Sequence, residues 1–451
     1  MATESQLTRL GLFDARVPRY TSYPTAPQFN STIGPENFRA WIEAVGEGAR
    51  ISLYMHVPFC RRLCWFCACR TQGTNSDTPV RAYAEVLKAE LALLKDALPR
   101  GVTLSRLHWG GGTPTMMPAE VMTDLARAVF DVVPLGEDAE FSVEIDPNEI
   151  DDARLDALAA AGMNRASIGV QDFDPEIQKT IGRDQTFEVT QAAVQGLRAR
   201  GIASLNADIL FGLPDQSPRR IADSVQKLLS LGPDRVALYG YAHVPWMARR
   251  QVMIPSDALP RPEERLKLFE TARELFVTDG YAEIGIDHFA LSTDGLAIAA
   301  RAGRLRRNFQ GYTDDTAPTL IGLGASAISR FPQGYAQNAS GTSNHTKAVR
   351  AGTFSTARGH AFAGEDILRA RMIEAVMCDF RIDAHEMVQH FGATAAQLQA
   401  MFARTKEEFG DMVRVGPEGL FVPEEARPLT RMIARTFDAY DLSKAGHSPA
   451  V

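Results

Sequence analysis

The stretch Ser52-Leu-Tyr-Met-His-Val-Pro-Phe-Cys60-Arg-Arg-Leu-Cys64-Trp-Phe-Cys67-Ala-Cys69 holds four of the five cysteines in a chain of 451 residues. Residues 51–57 read as a strand, and the cysteines follow on the loop beyond it. The spacing C-x3-C-x2-C sets three thiolates on one short loop. A cubane 4Fe–4S cluster has four irons, so Cys60, Cys64 and Cys67 as ligands leave one iron open to a small molecule. Other uses of clustered cysteine fit less well. A disulfide needs an oxidising compartment, and Met1-Ala-Thr-Glu-Ser-Gln-Leu-Thr-Arg9 lacks the apolar run of an export signal, so a cytoplasmic address is expected. A structural zinc site pairs two C-x2-C units or adds a later H-x3-H. Here there is no second cysteine pair, and His385 and His390 are five apart, off any single helix face. Inert core thiols are out of place beside Arg61, Arg62 and Arg70. Cys378, in the apolar run Met372-Ile-Glu-Ala-Val-Met-Cys378, is expected to be an ordinary core thiol.

Outward from this loop the chain alternates β-rich and helical runs. Strands are expected at residues 51–57, 102–109, 140–145, 165–170, 204–210, 235–241 and 282–286. Helices are expected at 80–98, 119–133, 150–161, 187–200, 219–231 and 261–279. Leu87, Leu91, Leu94 and Leu98 follow the i, i+4, i+7, i+11 stripe of a helix laid on a sheet. Such alternation over ~230 residues implies an α/β fold with a parallel sheet, either a barrel or a doubly wound sheet. Past residue 340 the sequence turns largely helical, at 365–380, 384–391, 395–409 and 429–440, with a Gly-punctuated hairpin-like run at 413–422. The expected units are therefore an N-terminal arm (1–45), a catalytic α/β unit (46–340) and a small, mostly helical C-terminal domain (341–451). Pro18, Pro24, Pro27 and Pro35 oppose a long helix in the arm, which is expected to gain its order by packing over the barrel.

Composition sets limits. The chain is 45% hydrophobic and 23% charged, as ordinary globular proteins are, and no run approaches the ~20 apolar residues of a membrane span. A net charge of −7 argues against general nucleic-acid affinity and requires any polyanionic substrate to meet a local basic patch.

In parallel α/β folds ligands gather at the carboxyl ends of the strands. After the second strand comes Gly110-Gly-Gly-Thr-Pro-Thr115, whose glycines let a backbone approach a ligand closely; with no G-K-[ST] after it, it is not a P-loop. Glu144, Gln171 and Asp208 end the third, fourth and fifth strands. Any one of them alone reads equally well as a loop cap or a satisfied salt bridge, but their joint placement around one rim favours a site.

The cysteine loop resembles that of the radical S-adenosylmethionine superfamily. Cys69, Val17-Pro-Arg-Tyr-Thr-Ser-Tyr-Pro-Thr25 and Asn308-Phe-Gln-Gly-Tyr-Thr313 narrow the resemblance to the oxygen-independent coproporphyrinogen III oxidases, or coproporphyrinogen dehydrogenases, over nearly the whole chain. The resemblance selects a partial (β/α)6 barrel and implies two cofactors, a 4Fe–4S cluster on Cys60, Cys64 and Cys67, and two molecules of S-adenosylmethionine. It implies that Tyr54, Phe66, Gly111, Glu144, Ala242 and Ile328 contact the first molecule, and Gly112, Thr113, Gln171, Arg183 and Asp208 the second. Cys69 and Tyr54 are expected to serve catalysis directly. The implied substrate is coproporphyrinogen III, whose four propionates would be met by some of Arg19, Arg61, Arg62, Arg183, Arg306 and Arg307. Two propionates would become vinyl groups, giving protoporphyrinogen IX for haem synthesis. A low-potential electron donor, a terminal electron acceptor and a monomeric state are also expected. Related haem chaperones share the barrel, but typically lack the arm and the cysteine that matches Cys69.

Overall fold

Polar and apolar residues alternate along the strands of this protein, and the helices between them carry apolar stripes, so a helix-covered parallel sheet is the packing that buries both. The computed structural model, which describes residues 5–441 and 448–450, has that architecture. Six strands, β1 (Arg50–Val57), β2 (Thr103–Gly111), β3 (Leu135–Ile145), β4 (Arg165–Gln171), β5 (Ser204–Phe211) and β6 (Arg235–Gly240), pair in parallel in sequence order. Each is followed by a covering helix: α1 (Thr78–Ala97), α2 (Ala119–Val132), α3 (Asp152–Ala160), α4 (Phe187–Ala199), α5 (Pro218–Ser230) and α6 (Pro262–Thr278). Leu87, Leu91 and Leu94 of α1 are fully buried, each contributing roughly 1.5–3 kcal/mol of hydrophobic stabilisation. Side-chain caps set the starts of α3, α4 and α5, where Asp151, Thr186 and Ser217 accept backbone N–H groups.

The sheet extends beyond the six strands at both edges. Residues 282–286, expected as a further strand of the parallel series, instead contribute Ala282–Ile284 to an antiparallel edge. That strand pairs with His288–Ala290, which runs antiparallel to β6. The intervening Gly285 has φ +56° and the chain reverses within a few residues, too few for the crossover a parallel strand needs. On the other edge Leu320–Leu323 pairs parallel to β1 and is followed by the antiparallel strands Ile328–Phe331, Gly334–Asn338 and Thr356–Ala361. The sheet thus runs past residue 340.

The C-terminal helices Asp366–Asp379, Ala384–Phe391, Ala395–Phe409 and Thr430–Arg435 enclose a separate apolar core with the small sheet of Arg381–Asp383, Arg414–Gly416 and Gly419–Phe421. Leu12, Val17, Tyr20 and Tyr23 of the arm are buried in this core. The first half of the arm is therefore anchored in the helical unit, to whose core it contributes these apolar residues. The arm also reaches the barrel, where Arg19 donates to the Gly240 carbonyl at the end of β6 at 2.7 Å, and farther along Asn30 pairs with Gly359, Phe29 stacks on Tyr335, and the nine-residue helix Pro35–Glu43 buries Phe38 and Ile42. Residues 1–4 of the arm and 442–447 and 451 of the C-terminal segment lie outside the described residues. Among the described residues no helix is long and apolar enough to cross a membrane.

Candidate active site

Side chains at alternate positions of a strand share one face. On the inner face of the barrel this brings together Ser52, Tyr54 and His56 of β1, Arg106 and His108 of β2, Glu140, Ser142 and Glu144 of β3, Arg165 and Ser167 of β4, Asn206 and Asp208 of β5, and Arg235 and Tyr239 of β6. They line a cavity of about 590 Å³.

Its floor is a layer of paired charge. Arg165 donates to Glu140 at 2.6 Å, Arg235 grips Asp294 with Nε and Nη2 at 3.1 and 3.0 Å, and Arg106 reaches Asp314 at 2.7 Å. Burial opposes ionisation of Glu140, but Arg165, Arg106 and Arg235 hold its carboxyl down at about 2. Asp315 bonds Ser105 and, by a short contact, Ser52, so the Asp314–Asp315 pair has a structural place beneath the cavity.

Above the floor sits a polar cluster. Tyr54 Oη lies 2.9 Å from His56 Nδ1, and the Tyr54 ring stacks on His108 with centroids 5.7 Å apart. Glu144 accepts the Gly111 N–H at 2.9 Å and faces His108 Nε2 at 3.3 Å. Burial works against the Glu144 anion, yet the His108 hydrogen bond and the Gly111 N–H keep its carboxyl below the usual range. Asp208, deep in the barrel with one hydrogen bond from Asn206, is pushed up to about 7 by burial. Burial also lowers the His56 imidazole and raises the Tyr54 phenol well above its ordinary value, so both are neutral near pH 7.

The cysteine loop closes one end of this cavity. Cys69 and Ala68 line it, whereas Cys60, Cys64 and Cys67 sit half-buried behind them. Arg183 binds the loop electrostatically, with Nη1 3.6 Å from Cys64 Sγ and 3.6 Å from an Asp146 oxygen. The Cys67 sulfur accepts the Cys69 N–H at 3.4 Å. With the Cys69 thiol donating to it as well, Cys67 is lowered to about 6, while burial raises Cys60 to about 11 and lifts Cys64. Among the described residues no three His, Cys, Asp or Glu side chains gather around one point as ligands of a single ion. Three half-buried thiols on one loop, flanked by a guanidinium that favours thiolate, suit a cluster whose cysteines each bind a different iron.

The residues expected at the site divide into two groups. Tyr54, Cys69, Gly111, Glu144, Asp208 and Ile328 line the cavity. Cys60, Cys64, Phe66 and Cys67 instead lie on the loop itself, and Gly112, Thr113, Gln171, Arg183 and Ala242 lie off the cavity lining. Gly112 N–H and Thr113 N–H are taken by the carbonyls of Val57 and Phe59 at 2.9 and 2.7 Å. A Cβ at Gly111 or Gly112 would collide with His56 or the Phe59 backbone, so these glycines let β2 pack against the base of the loop. The carbonyls of Phe66 and Ala242 share one donor, Gln251 Nε2, at 2.7 and 3.0 Å. Gln171, with φ +69°, packs close to Gly169 near the Arg183 guanidinium.

None of Arg19, Arg61, Arg62, Arg183, Arg306 and Arg307 lines the cavity; its arginines are Arg70, Arg106, Arg165 and Arg235. Arg61 pairs with Glu149 and Asp77, and Arg62 is largely exposed. Arg19 and Arg307 face a second cavity of about 550 Å³ between the barrel edge and the helical unit. There Arg431 donates to the carbonyls of Val17, Pro18, Pro449 and Ala450 and so fastens the arm to the C-terminal segment. His56, His108 and the floor arginines escaped the sequence analysis although a signal was present: polar residues at every second position, set among apolar ones, mark the inner face of a barrel. Asn308, Phe309, Gln310, Tyr312 and Thr313 also line the cavity, on the hairpin Arg306–Asn308 and Gly311–Thr313.

Residues 54–228 match the model of the radical SAM superfamily. The chain is 69% identical over 451 residues to the oxygen-independent coproporphyrinogen III oxidase of Paracoccus denitrificans, covering the whole of both proteins. The protein of the same name from Escherichia coli K12 is 36% identical over 432 residues, 95% of this chain and 94% of that one. The solved structure of the E. coli coproporphyrinogen III oxidase, HemN, described as a radical SAM enzyme, superposes with a TM-score of 0.90 at 35% identity, over 94% of this chain and 98% of that one.

Proposed function

The chain belongs to the oxygen-independent coproporphyrinogen III oxidases of the radical S-adenosylmethionine superfamily, and on that basis we propose that it converts two propionates of coproporphyrinogen III to vinyl groups, giving protoporphyrinogen IX, with one S-adenosylmethionine consumed for each. The observation that carries this reading is the union, in one cavity, of a three-cysteine loop and an arginine-bearing polar interior. Cys60, Cys64 and Cys67 would hold the 4Fe–4S cluster. When bound, cluster and S-adenosylmethionine supply a 5′-deoxyadenosyl radical able to take a hydrogen atom from the propionate β-carbon. The substrate side chain then loses carbon dioxide and passes one electron to an acceptor, so that a C–C single bond becomes a vinyl group.

The protein's own residues do the rest. Tyr54, neutral and stacked on His108, presents a ring face to a sulfonium. Glu144 and Asp208 can accept hydrogen bonds from ribose hydroxyls, Glu144 as an anion. Gln171 and Arg183 beside Cys64, with Gly112 and Thr113, would serve a second S-adenosylmethionine. Arg70, the cavity arginine outside the paired floor, supplies positive charge for propionates, while Arg106, Arg165 and Arg235, paired with Asp314, Glu140 and Asp294, form the floor of a barrel that restricts water. Cys69, in the cavity but outside the ligand triad, contributes to turnover rather than to iron binding. The reading places it as a monomer in the cytoplasm, where thiols stay reduced. Anaerobic incubation of reconstituted protein with reductant, S-adenosylmethionine and coproporphyrinogen III, followed by oxidation, tests the proposal: protoporphyrin should accumulate, and its absence with an intact cluster would refute it.

A further inference from the structure

The cysteine loop, on the reading just given, must receive one electron from outside the chain for each S-adenosylmethionine it splits. The surface beside that loop is unusual. Eleven large apolar side chains are exposed among the described residues, and four of them fall within eight consecutive positions: Trp246, Met247, Val252 and Met253, from 55% to 70% exposed. Leu63, on the cysteine loop itself, is a fifth. The other six are scattered along the chain, as single surface apolar residues usually are.

This turn is held firmly on its inner side. Gln251, fully buried, ties the carbonyls of Phe66 and Ala242 together and accepts the Val244 N–H at 2.6 Å. Arg250 reaches the carbonyl and hydroxyl of Thr71 at 3.0 and 2.8 Å, just past the last cysteine. Ile254 anchors the end of the turn in an apolar cluster that Trp65 and Phe66 also pack against. Leu63 lies over Gly73, two residues beyond Thr71. The backbone is thus fixed against the cysteine loop, while among the described residues Trp246, Met247, Val252 and Met253 stay more than half exposed.

We propose that the Trp246–Met253 turn and the outer face of the cysteine loop form the docking surface for a small acidic protein carrying a low-potential one-electron centre. The rim chooses the partner. Arg62 and Arg249 are exposed on the loop and turn, and exposed Arg16 lies over the Trp246 ring at 5.7 Å. Asp184 and Asp257 are exposed carboxylates on neighbouring segments, Asp184 4.0 Å from Arg62. A cationic rim around an apolar centre, on a chain of net charge −7, steers an acidic partner to this place in preference to the rest of the surface. Electron-transfer encounters use small, transient interfaces of this kind. In the step itself the partner is oxidised by one electron and the cluster reduced by one.

The test uses the reconstituted holoprotein and a bacterial flavodoxin as probe. Two variants are compared with wild type: the double charge reversal Arg62→Glu with Arg249→Glu, and the triple replacement Trp246→Ser, Met247→Ser and Met253→Ser. Stopped-flow mixing with flavodoxin hydroquinone should show cluster bleaching slowed about ten-fold or more in the charge-reversed protein at low salt, the gap closing as salt is raised. Anisotropy of oxidised flavodoxin should report a matching loss of affinity in both variants. Reduction by dithionite, which needs no docking, should be unchanged. Unchanged flavodoxin rate and affinity in both variants would overturn the surface, as would an equal loss with dithionite. So would a wild-type protein whose turn serves self-association or vesicle binding, abolished in the triple variant while flavodoxin reduction is unaffected. A wild-type protein with no cluster reducible even by dithionite would instead overturn the function proposed above, and this surface with it.

Discussion

Cys67 and Cys69 are two residues apart, and their sulfurs are neighbours, with the Cys69 thiol and N–H both directed at the Cys67 sulfur. Cys67 lies half-buried behind the cavity with Cys60 and Cys64, whereas Cys69 faces it. Replacing Cys60, Cys64 or Cys67 with Ser should therefore abolish the iron–sulfur chromophore. Cys69→Ser should retain the chromophore and lose most coproporphyrinogen conversion. Iron content, absorption spectra and product assays separate the two cases, and loss of the cluster in Cys69→Ser would show that the ligand assignment is wrong. Asp208 makes a second prediction at this scale. Burial raises its pKa from 3.8 to about 7, so the folded protein holds the proton that the unfolded chain releases. Its contribution to stability is full below pH 3.8 and is lost as pH rises toward 7. Asp208→Asn, which keeps the oxygen that accepts from Asn206, should match wild type near pH 4 and exceed it by roughly 1–4 kcal/mol above pH 7. Denaturation at several pH values without added S-adenosylmethionine checks this, and parallel curves for the two proteins would contradict it.

At the scale of elements, the turn that carries Gln251 and the cysteine loop act as one piece. Gln251→Ala would orphan two carbonyls and one N–H, each costing about 1–3 kcal/mol where water cannot reach. We expect a net loss of about 2–4 kcal/mol and poorer cluster retention, whereas Met253→Ser next door should stay within about 0.5 kcal/mol of wild type. Chemical denaturation of the two variants decides the matter. The arm offers a parallel test. Arg431 donates to Val17, Pro18, Pro449 and Ala450, so Arg431→Met should make residues 10–25 sensitive to protease while the barrel core stays resistant. Wild-type resistance of the arm would contradict the pin. These two connections were hidden in the sequence, because both join segments about 180 and 410 residues apart through side chains bonding to backbone. No local pattern signals such a partner.

For the whole molecule, what could be read depended on pattern length. Helices such as Thr78–Ala97 and Ala395–Phe409 carry several turns of stripe and were legible, as were the six parallel strands. His288–Ala290 and Leu320–Leu323, of three and four residues, hold too few residues to show alternation, and Ala282–Ile284, legible as a strand, gave no sign of its antiparallel pairing. The six strands and the cysteine loop were legible together, while periodicity left barrel and doubly wound sheet open and the family resemblance chose the partial barrel. Of the cavity arginines, Arg106, Arg165 and Arg235 come from the inward face of the strands, which the match of guanidinium to carboxylate did not by itself single out. The central claim is that this cavity carries out two hydrogen abstractions per product, each at the expense of its own S-adenosylmethionine. The direct measurement is the amount of methionine formed per protoporphyrinogen IX in an anaerobic reaction of the purified, reconstituted protein. A ratio of at least two is predicted, with 5′-deoxyadenosine equal to methionine; a reproducible ratio of one would contradict the account.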